Sequence, residues 1–292
     1  MANCKKRLLL HAPSRSIETS GIVKEAASED RLLEIASRFS ELNHVEAVAL
    51  AGSTATGTWD EKSDYDLYVY SHEFVDLDFR KTQAPPRARI VELHRTFWED
   101  EDSWIEADMK QIQIMYRTIS WTESELTRRL DRYEASLGYT TAICYNIKQS
   151  RALWDRSAWF AGIQVRLLEG YPDELARAIV RKNLPVMGRI ISSYEHQIES
   201  AFLRQDLVCL NHRVAAWIAS YFDILFAANR SYHPGEKRLL THAQNLPSVP
   251  ESMVDDLRTA CSHAANLERS IADHLANVRY RFEDWLKGMS LI

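Results

Sequence analysis

The sequence predicts a mixed α/β fold of the α+β class, in which a small sheet domain is followed by an all-α helical bundle. Two observations predict it: short runs of strand length occur only before about residue 120, and longer patterns of helical periodicity follow them. The chain of 292 residues is long enough for two domains that each bury a core. We therefore expect the sheet domain over residues 1–138 and the helical bundle over residues 139–292.

One helix and four strands account for the predicted sheet domain. The helix is expected over residues 28–42, where apolar residues recur at helical spacing and Ser28 or Asp30 can cap the start. The strands are expected where apolar runs are too short for a helix or alternate with polar residues. These runs are Val45–Ala51, Asp64–Tyr70, Ala88–His94 and Lys110–Arg117.

The second part of the chain shows only helical patterns. Thr122 and Glu125 have the spacing of a capping box, which places a helix start at residue 122. Pro185 is expected to kink or divide a long helix, because proline lacks the N–H group that a helix interior needs. The expected helices cover residues 122–136, 140–154, 173–204, 207–229, 250–263 and 265–288.

The composition argues against several classes of protein. A formal charge of −5 gives no basic excess, so nucleic acid is not expected as a partner. The cysteines lack the spacing of a zinc site and suit reduced thiols in a cytoplasmic protein. The longest apolar run, Val214 to Ala228, is interrupted by Asp223 and is too short to span a membrane. Without a basic excess, any phosphate chemistry must depend on a few placed cations, on backbone N–H groups or on metal ions held by carboxylates.

The segment from Gly52 to Asp66 carries the pattern most typical of chemistry. A predicted strand ends at Gly52-Ser53, where a phosphate can approach the backbone N–H groups and the serine hydroxyl. Asp64 and Asp66 share one face of the next predicted strand, with their Cα atoms about 6.6 Å apart. Two carboxylates at that spacing can hold Mg²⁺ together with substrate phosphates. Each pair alone is common in turns and exposed strands, and it is their combination that indicates a phosphate-handling site.

Gly52-Ser53 followed by Asp64-x-Asp66 resembles the DNA polymerase β-like nucleotidyltransferase superfamily. The succession of a sheet domain and a helical domain is similar to the small bacterial branch that includes the aminoglycoside and lincosamide nucleotidyltransferases. The segment 225–239 is similar to the helical region of an incompletely characterised branch. The resemblance covers about residues 30–260. It implies a minimal nucleotidyltransferase sheet followed by a helical bundle, and a homodimer is compatible with this group.

The resemblance also implies an activity and the residues that carry it. The enzyme would be Mg²⁺-dependent and would transfer AMP from ATP to a hydroxyl of a small molecule or a protein, with release of pyrophosphate. Gly52 and Ser53 would hold the triphosphate of ATP or of another nucleoside triphosphate, and Asp64 and Asp66 would be the catalytic metal ligands. Lys237, at the start of a predicted helix, either reaches the triphosphate across the domain cleft or is a solvated surface residue.

The family usually has a third carboxylate on a later strand, and this sequence departs from that pattern. The aligned position is Gln113, whose amide can ligate a metal but cannot act as a general base. Glu92 or Asp108 either substitutes for the missing group or is a solvated surface carboxylate. Arg117 is a weak candidate for a phosphate contact. The alternative function is a catalytically silent nucleotide-binding or interaction protein on the same fold.

Overall fold

A six-stranded sheet organises the first half of the chain in the computed structural model, which describes residues 18–55 and 64–292. The strands are β1 (Val45–Ala51), β2 (Tyr65–Ser71), β3 (Val91–Arg95), β4 (Asp100–Ile105), β5 (Gln111–Thr118) and β6 (Arg151–Asp155). They lie in the order β3-β4-β5-β2-β1-β6. Strands β2 and β5 are parallel, and the other neighbouring pairs are antiparallel.

Helices cover both faces of the sheet and, with the connecting loops, form the rest of the described chain. Those of the first half are α1 (Glu18–Ser40), α2 (Gly52–Ala55), α3 (Leu77–Lys81), α4 (Ile119–Leu130), α5 (Ala142–Gln149) and α6 (Trp159–Leu168). Those of the second half are α7 (Asp173–Leu184), α8 (Tyr194–Leu203), α9 (Leu207–Ala228), α10 (Leu239–Gln244), α11 (Met253–Ala265) and α12 (Ile271–Gly288). A π-helical turn that starts at Pro185 separates α7 from α8, as the proline predicts.

The two faces of the sheet bury different sets of side chains because side chains alternate along each strand. On one face, Val48 and Leu50 of β1 pack with Phe39 of α1 and with other large apolar residues. On the other face, β1 presents only Ala47, Ala49 and Ala51, and α4, α5 and α6 cover it. Small residues on this strand leave room for close helix packing. The candidate site lies on this second face.

The helical half has a core of its own, built around α9. Trp217 and Tyr221 of α9 are buried and stack with ring centroids 5.5 Å apart, and Tyr221 stacks on Phe282 of α12 at 4.1 Å. Helices α7, α8 and α11 pack around the same axis. Among the described helices, none combines the length and the apolar character needed to cross a bilayer.

A buried polar cluster ties the two halves together. The Asp223 carboxylate of α9 accepts hydrogen bonds from the Thr140 backbone N–H at 2.9 Å and from the Thr140 hydroxyl at 2.6 Å. Asn183 of α7 donates to Asp223 at 3.2 Å and accepts from the Gly138 N–H at 3.0 Å. Burial raises the pKa of Asp223 to about 6. The chain leaving the sheet is thereby held against α7 and α9.

The structure confirms the fold class and corrects several expectations about individual elements. The helix expected to start at residue 122 begins at Ile119, and the Thr118 side chain, not Thr122, caps it. The helix expected over 140–154 ends at Gln149, and residues 151–155 form strand β6 at an edge of the sheet. Strand β4, over Asp100–Ile105, was not expected, because runs of acidic residues are depleted in strands. The boundary at residue 138 stays a prediction, although residues beyond it contribute to the sheet.

Candidate active site

The structure brings Gly52 and Asp66 together. Asp66 of β2 lies directly opposite Ala51 of β1, and Gly52 follows with a left-handed φ of 68°. A Cβ atom on Gly52 would overlap the Asp66 Oδ2 atom and would lie 3.0 Å from its Cγ atom. Asp64 precedes β2 and is half-buried, and its carbonyl accepts a hydrogen bond from the Thr54 hydroxyl at 3.1 Å. The backbone turn therefore lies against both aspartates.

Part of the motif cannot be compared with the structure. The Ser53 backbone belongs to α2, but the Ser53 side chain and residues 56–63 lie outside the described residues. The predicted contact between the Ser53 hydroxyl and a phosphate therefore stays a prediction.

A cavity of about 240 Å³ opens beside Asp66 on the same face of the sheet. Its walls come from the start of α2, from β2, β4 and β5, from the β3–β4 turn and from α5. The lining residues are Gly52, Asp66, Tyr68, Trp98, Glu99, Glu101, Gln113, Met115 and Asn146. The cavity wall thus carries three carboxylates, those of Asp66, Glu99 and Glu101, and two aromatic rings, those of Tyr68 and Trp98.

Gln113 and Glu101 both face this cavity, from neighbouring strands. Gln113 of β5 lies beside Asp66 in the parallel β2–β5 register, which is the position predicted for the third carboxylate. Glu101 of β4 pairs with Met115, two residues beyond Gln113, and therefore shares the same sheet face. Glu101 is buried, and Arg95 donates to its carboxylate at 2.7 Å. A carboxylate that sequence reasoning missed thus lies one strand beyond Gln113.

The charges around Asp66 act on its pKa in opposite directions. Burial raises the pKa most, because a desolvated carboxylate favours its neutral form. The Lys237 ammonium lowers it, whereas the Asp64 and Glu101 carboxylates raise it. The net pKa of Asp66 is raised, which identifies a carboxylate that gains from an added cation.

Lys237 belongs to the helical half and lies on the loop between α9 and α10. It lies in the turn before α10, whereas the sequence predicted the first turn of a helix. The His233 backbone N–H anchors this loop by donating to the Thr141 hydroxyl at 2.8 Å, and the Gly235 N–H donates to His233 Nδ1 at 3.1 Å. Burial lowers the pKa of His233 to about 4, so its ring is neutral near pH 7. The loop therefore holds Lys237 near Asp66.

The two carboxylates named as substitutes do not reach the cavity wall. Glu92 is exposed on edge strand β3, three strands from β2, and forms an ion pair with Arg95 at 2.6 Å. Asp108 is exposed in the β4–β5 turn, where it accepts a hydrogen bond from the Lys110 N–H at 3.1 Å. Both have the contacts of surface carboxylates.

Arg117 is buried and fully engaged, which argues against a contact with phosphate. It donates twice to Glu99 at 2.7 Å and once to Asn146 at 3.0 Å, and its guanidinium stacks 3.9 Å from the Tyr68 ring centroid. Burial opposes its charge, but these partners raise its pKa above the ordinary value. Arg117 therefore contacts three residues of the cavity wall, Glu99, Asn146 and Tyr68.

The donor set fits Mg²⁺ on one condition. Within residues 18–55 and 64–292, no three His, Cys, Asp or Glu side chains come close enough together to hold a metal ion. Asp64 and Asp66 offer carboxylate oxygens, the ligand type that Mg²⁺ prefers, and Mg²⁺ sites commonly combine one or two carboxylates with substrate phosphates. The fit therefore requires that a nucleotide complete the site.

Residues 31–135 match the family described as "Nucleotidyltransferase domain". The matched span includes Gly52, both aspartates, Glu101 and Gln113, and it confirms the predicted polymerase β-like nucleotidyltransferase domain. A solved structure of a nucleotidyltransferase-like protein from Exiguobacterium sibiricum 255-15 is similar at 9% identity and a TM-score of 0.43. That similarity covers 87% of this chain and 74% of that chain. A comparison with curated proteins gave no significant match.

Proposed function

We propose that the protein is a Mg²⁺-dependent nucleotidyltransferase that transfers AMP from ATP to an acceptor hydroxyl and releases pyrophosphate. The observation that supports this most is the close packing of Gly52 against Asp66 inside the matched residues 31–135, with the Lys237 ammonium near enough to lower the pKa of Asp66. The acceptor, a small molecule or a protein, the preference for ATP over other nucleoside triphosphates, the homodimer and the cytoplasmic location all stay predictions.

Different residues would bind the Mg²⁺ ion and the triphosphate. Asp64 and Asp66 would hold Mg²⁺, which when bound supplies positive charge to the phosphates and lowers the pKa of the acceptor hydroxyl. Gly52 leaves the backbone accessible beside Asp66, and Lys237 offsets phosphate charge that an acidic protein cannot offset globally. Transfer reactions of this kind depend mainly on positioning and on charge neutralisation.

Glu101 is the carboxylate that we assign as general base in place of Gln113. In this step, the acceptor O–H proton moves to the Glu101 carboxylate as the acceptor oxygen bonds to the α-phosphorus. The bond from that phosphorus to the bridging oxygen breaks, and pyrophosphate leaves. Support for this role comes from the position of Glu101 in the wall of the same cavity as Asp66.

A silent nucleotide-binding protein is the second candidate, and the position of Gln113 favours it. The amide stands beside Asp66, where the resemblance implies a carboxylate. Under this alternative, Glu101 is only the buried partner of Arg95. ATP binding without any turnover would support the alternative, and its case would be stronger still if Gln113→Glu created turnover.

The decisive experiment measures pyrophosphate release from ATP and Mg²⁺ with a panel of hydroxyl-bearing acceptors. Asp66→Asn should abolish release, whereas Asp108→Asn, the matched change at an exposed turn carboxylate, should leave it unchanged. Calorimetry with ATP and Mg²⁺ separates loss of binding from loss of turnover. Turnover that survives Asp66→Asn would contradict the proposed mechanism.

A further inference from the structure

Two adjacent large aromatic side chains stand almost fully in solvent, and one of them, Trp98, lines the cavity. Phe97 and Trp98, in the turn between β3 and β4, are 85% and 90% exposed. Aromatic residues of this size normally bury 150–250 Å² each, about as much as any side chain can contribute to a core. Single exposed apolar residues are common, but two adjacent ones, one of which lines a cavity, point to a binding surface.

The turn that carries Trp98 is held in place by charged contacts on both arms. Glu99, its neighbour, is held by two hydrogen bonds from Arg117 at 2.7 Å. On the other arm, the His94 N–H donates to the Asp102 carboxylate at 2.8 Å, and His94 Nδ1 lies 3.0 Å from Asp100 Oδ1. A ring presented from an anchored turn loses little conformational freedom when a ligand stacks on it.

The sheet order places Trp98 on the acceptor side of the proposed reaction. Gly52 follows β1 and Asp66 lies on β2, whereas Glu101 lies on β4 and Trp98 just before it. From β1 to β4 there are three strand spacings of about 4.8 Å each. In an in-line displacement the leaving and attacking oxygens lie on opposite sides of the phosphorus. If the triphosphate lies at Gly52, the acceptor approaches from the side of Glu101 and Trp98.

We propose that Trp98 binds the acceptor by stacking on a ring that carries the reacting hydroxyl or stands next to it. The proposal rests on the proposed function, since it uses the direction of the transfer. The expected acceptor has a flat apolar ring face, that of a sugar ring or an aromatic ring, and is not an open-chain alcohol. The cavity of about 240 Å³ is smaller than the 300–1,000 Å³ of sites that enclose drug-sized ligands. Part of the acceptor therefore stays outside, against Trp98.

The test measures the binding of defined probes by ligand-observed NMR, with and without ATP and Mg²⁺. The ring probes are methyl α-D-glucopyranoside and p-cresol, which separate sugar from aromatic faces, and sorbitol is the open-chain probe. At least one ring probe should bind the wild type more tightly than sorbitol. Trp98→Ala should weaken that binding about tenfold, in the range of aromatic stacking, whereas Trp98→Phe should retain most of it. Tyr280→Ala, at an exposed aromatic residue on α12, is the matched control.

Calorimetry of ATP and Mg²⁺ on the same variants keeps the two proposals distinguishable. Trp98→Ala should leave nucleotide affinity unchanged, while Asp66→Asn should weaken it. Weaker nucleotide binding in Trp98→Ala would show that the ring stacks on the base, and would overturn the acceptor role. Ring probes that fail to bind the wild type, or that bind Trp98→Ala equally well, would also overturn it. Failure of the wild type to bind ATP and Mg²⁺ would count against the proposed function itself.

Discussion

Gly52 and Asp66 are packed so closely that a side chain at position 52 would have to displace the Asp66 carboxylate. A Cβ atom there would overlap the Asp66 carboxylate, and the φ of 68° is one that L side chains rarely adopt. The glycine therefore has a role beyond admitting a phosphate: it makes room for the carboxylate that the next strand places opposite Ala51.

Gly52→Ala should displace Asp66 and reduce the proposed nucleotidyltransferase activity. We expect pyrophosphate release to fall by at least about a hundredfold, as misplaced catalytic groups commonly cause. The free energy of unfolding should fall by about 1–3 kcal/mol, because alanine is strained at this φ. Enzyme assays and urea unfolding measure the two effects. Gly162→Ala, in the open on α6, is the control and should not reduce stability. Full activity in Gly52→Ala would contradict the close packing described here.

Lys237→Met and Glu101→Gln should move the pKa of Asp66 in opposite directions. Lys237 lowers this pKa and Glu101 raises it, so removal of the lysine raises the pKa and removal of the glutamate charge lowers it. Metal binding requires ionised Asp66. The midpoint at which ATP·Mg²⁺ binding is lost on acidification should therefore rise in Lys237→Met and fall in Glu101→Gln.

Calorimetry across a pH series reads both midpoints, and it needs no turnover. Lys287→Met, at an exposed lysine paired with Asp284, is the control and should leave the midpoint in place. Shifts of the same sign in Lys237→Met and Glu101→Gln would show that neither charge acts on Asp66 as described.

Glu101→Gln should also separate the two candidate functions. If Glu101 takes the acceptor proton, kcat should fall by about 10²–10⁴-fold while the affinity for ATP and Mg²⁺ stays near that of the wild type at neutral pH. Glu92→Gln removes the other acidic partner of Arg95 on the exposed edge strand, and it should have little effect. Equal turnover in wild type and Glu101→Gln would remove Glu101 from the mechanism.

The sequence predicts the strands that bear the motif but not the strand that completes the cavity. Residues 45–51 and the run before residue 71 read as strands because apolar positions dominate or alternate there, and the structure agrees within a residue or two. Strand β4 begins Asp-Glu-Asp, which local propensity disfavours. The arginines that pair with its carboxylates lie on other elements, Arg80 on α3 and Arg95 on β3. No local sequence pattern shows that they contact β4.

The same limit explains which site residues were missed. Asp64, Asp66 and Gly52 belong to one short motif, so spacing alone relates them. Glu101 becomes a candidate only through the β4–β5 register, which places it on the face of Met115. The run Asp100-Glu101-Asp102 does carry a usable signal. Because side chains alternate along a strand, Asp100 and Asp102 face one side of the sheet and Glu101 faces the other.

Arg80→Met should destabilise the protein strongly, because the Arg80 guanidinium neutralises the charge of two carboxylates of β4. Its guanidinium is fully buried and donates to Asp102 at 2.6 and 2.9 Å and to Asp100 at 2.8 and 2.9 Å. Removal leaves a fully buried Asp102 without its cation, a loss of about 3–5 kcal/mol in the free energy of unfolding. Urea unfolding measures it, with Lys81→Met at the neighbouring exposed position as control. Arg80→Lys should fall between the two, because lysine keeps the charge but not the paired hydrogen bonds.

Asp223 should make the stability of the protein depend on pH between about 4 and 6. Its pKa is about 6 in the folded protein against an ordinary value of 3.8, so the native state holds this proton more tightly than the unfolded chain does. The contribution of Asp223 to stability is therefore fully present below about pH 4 and is lost as the pH rises through about 6. A difference of about two pKa units corresponds to a loss on the order of 3 kcal/mol.

Asp223→Asn keeps an acceptor for the Thr140 N–H but cannot ionise. The unfolding free energy of the wild type minus that of Asp223→Asn, measured in urea at each pH, should decline from pH 4 to pH 6 and then level off. A flat difference would mean that the hydrogen bonds from Thr140 and Asn183 offset the cost of burying the charge.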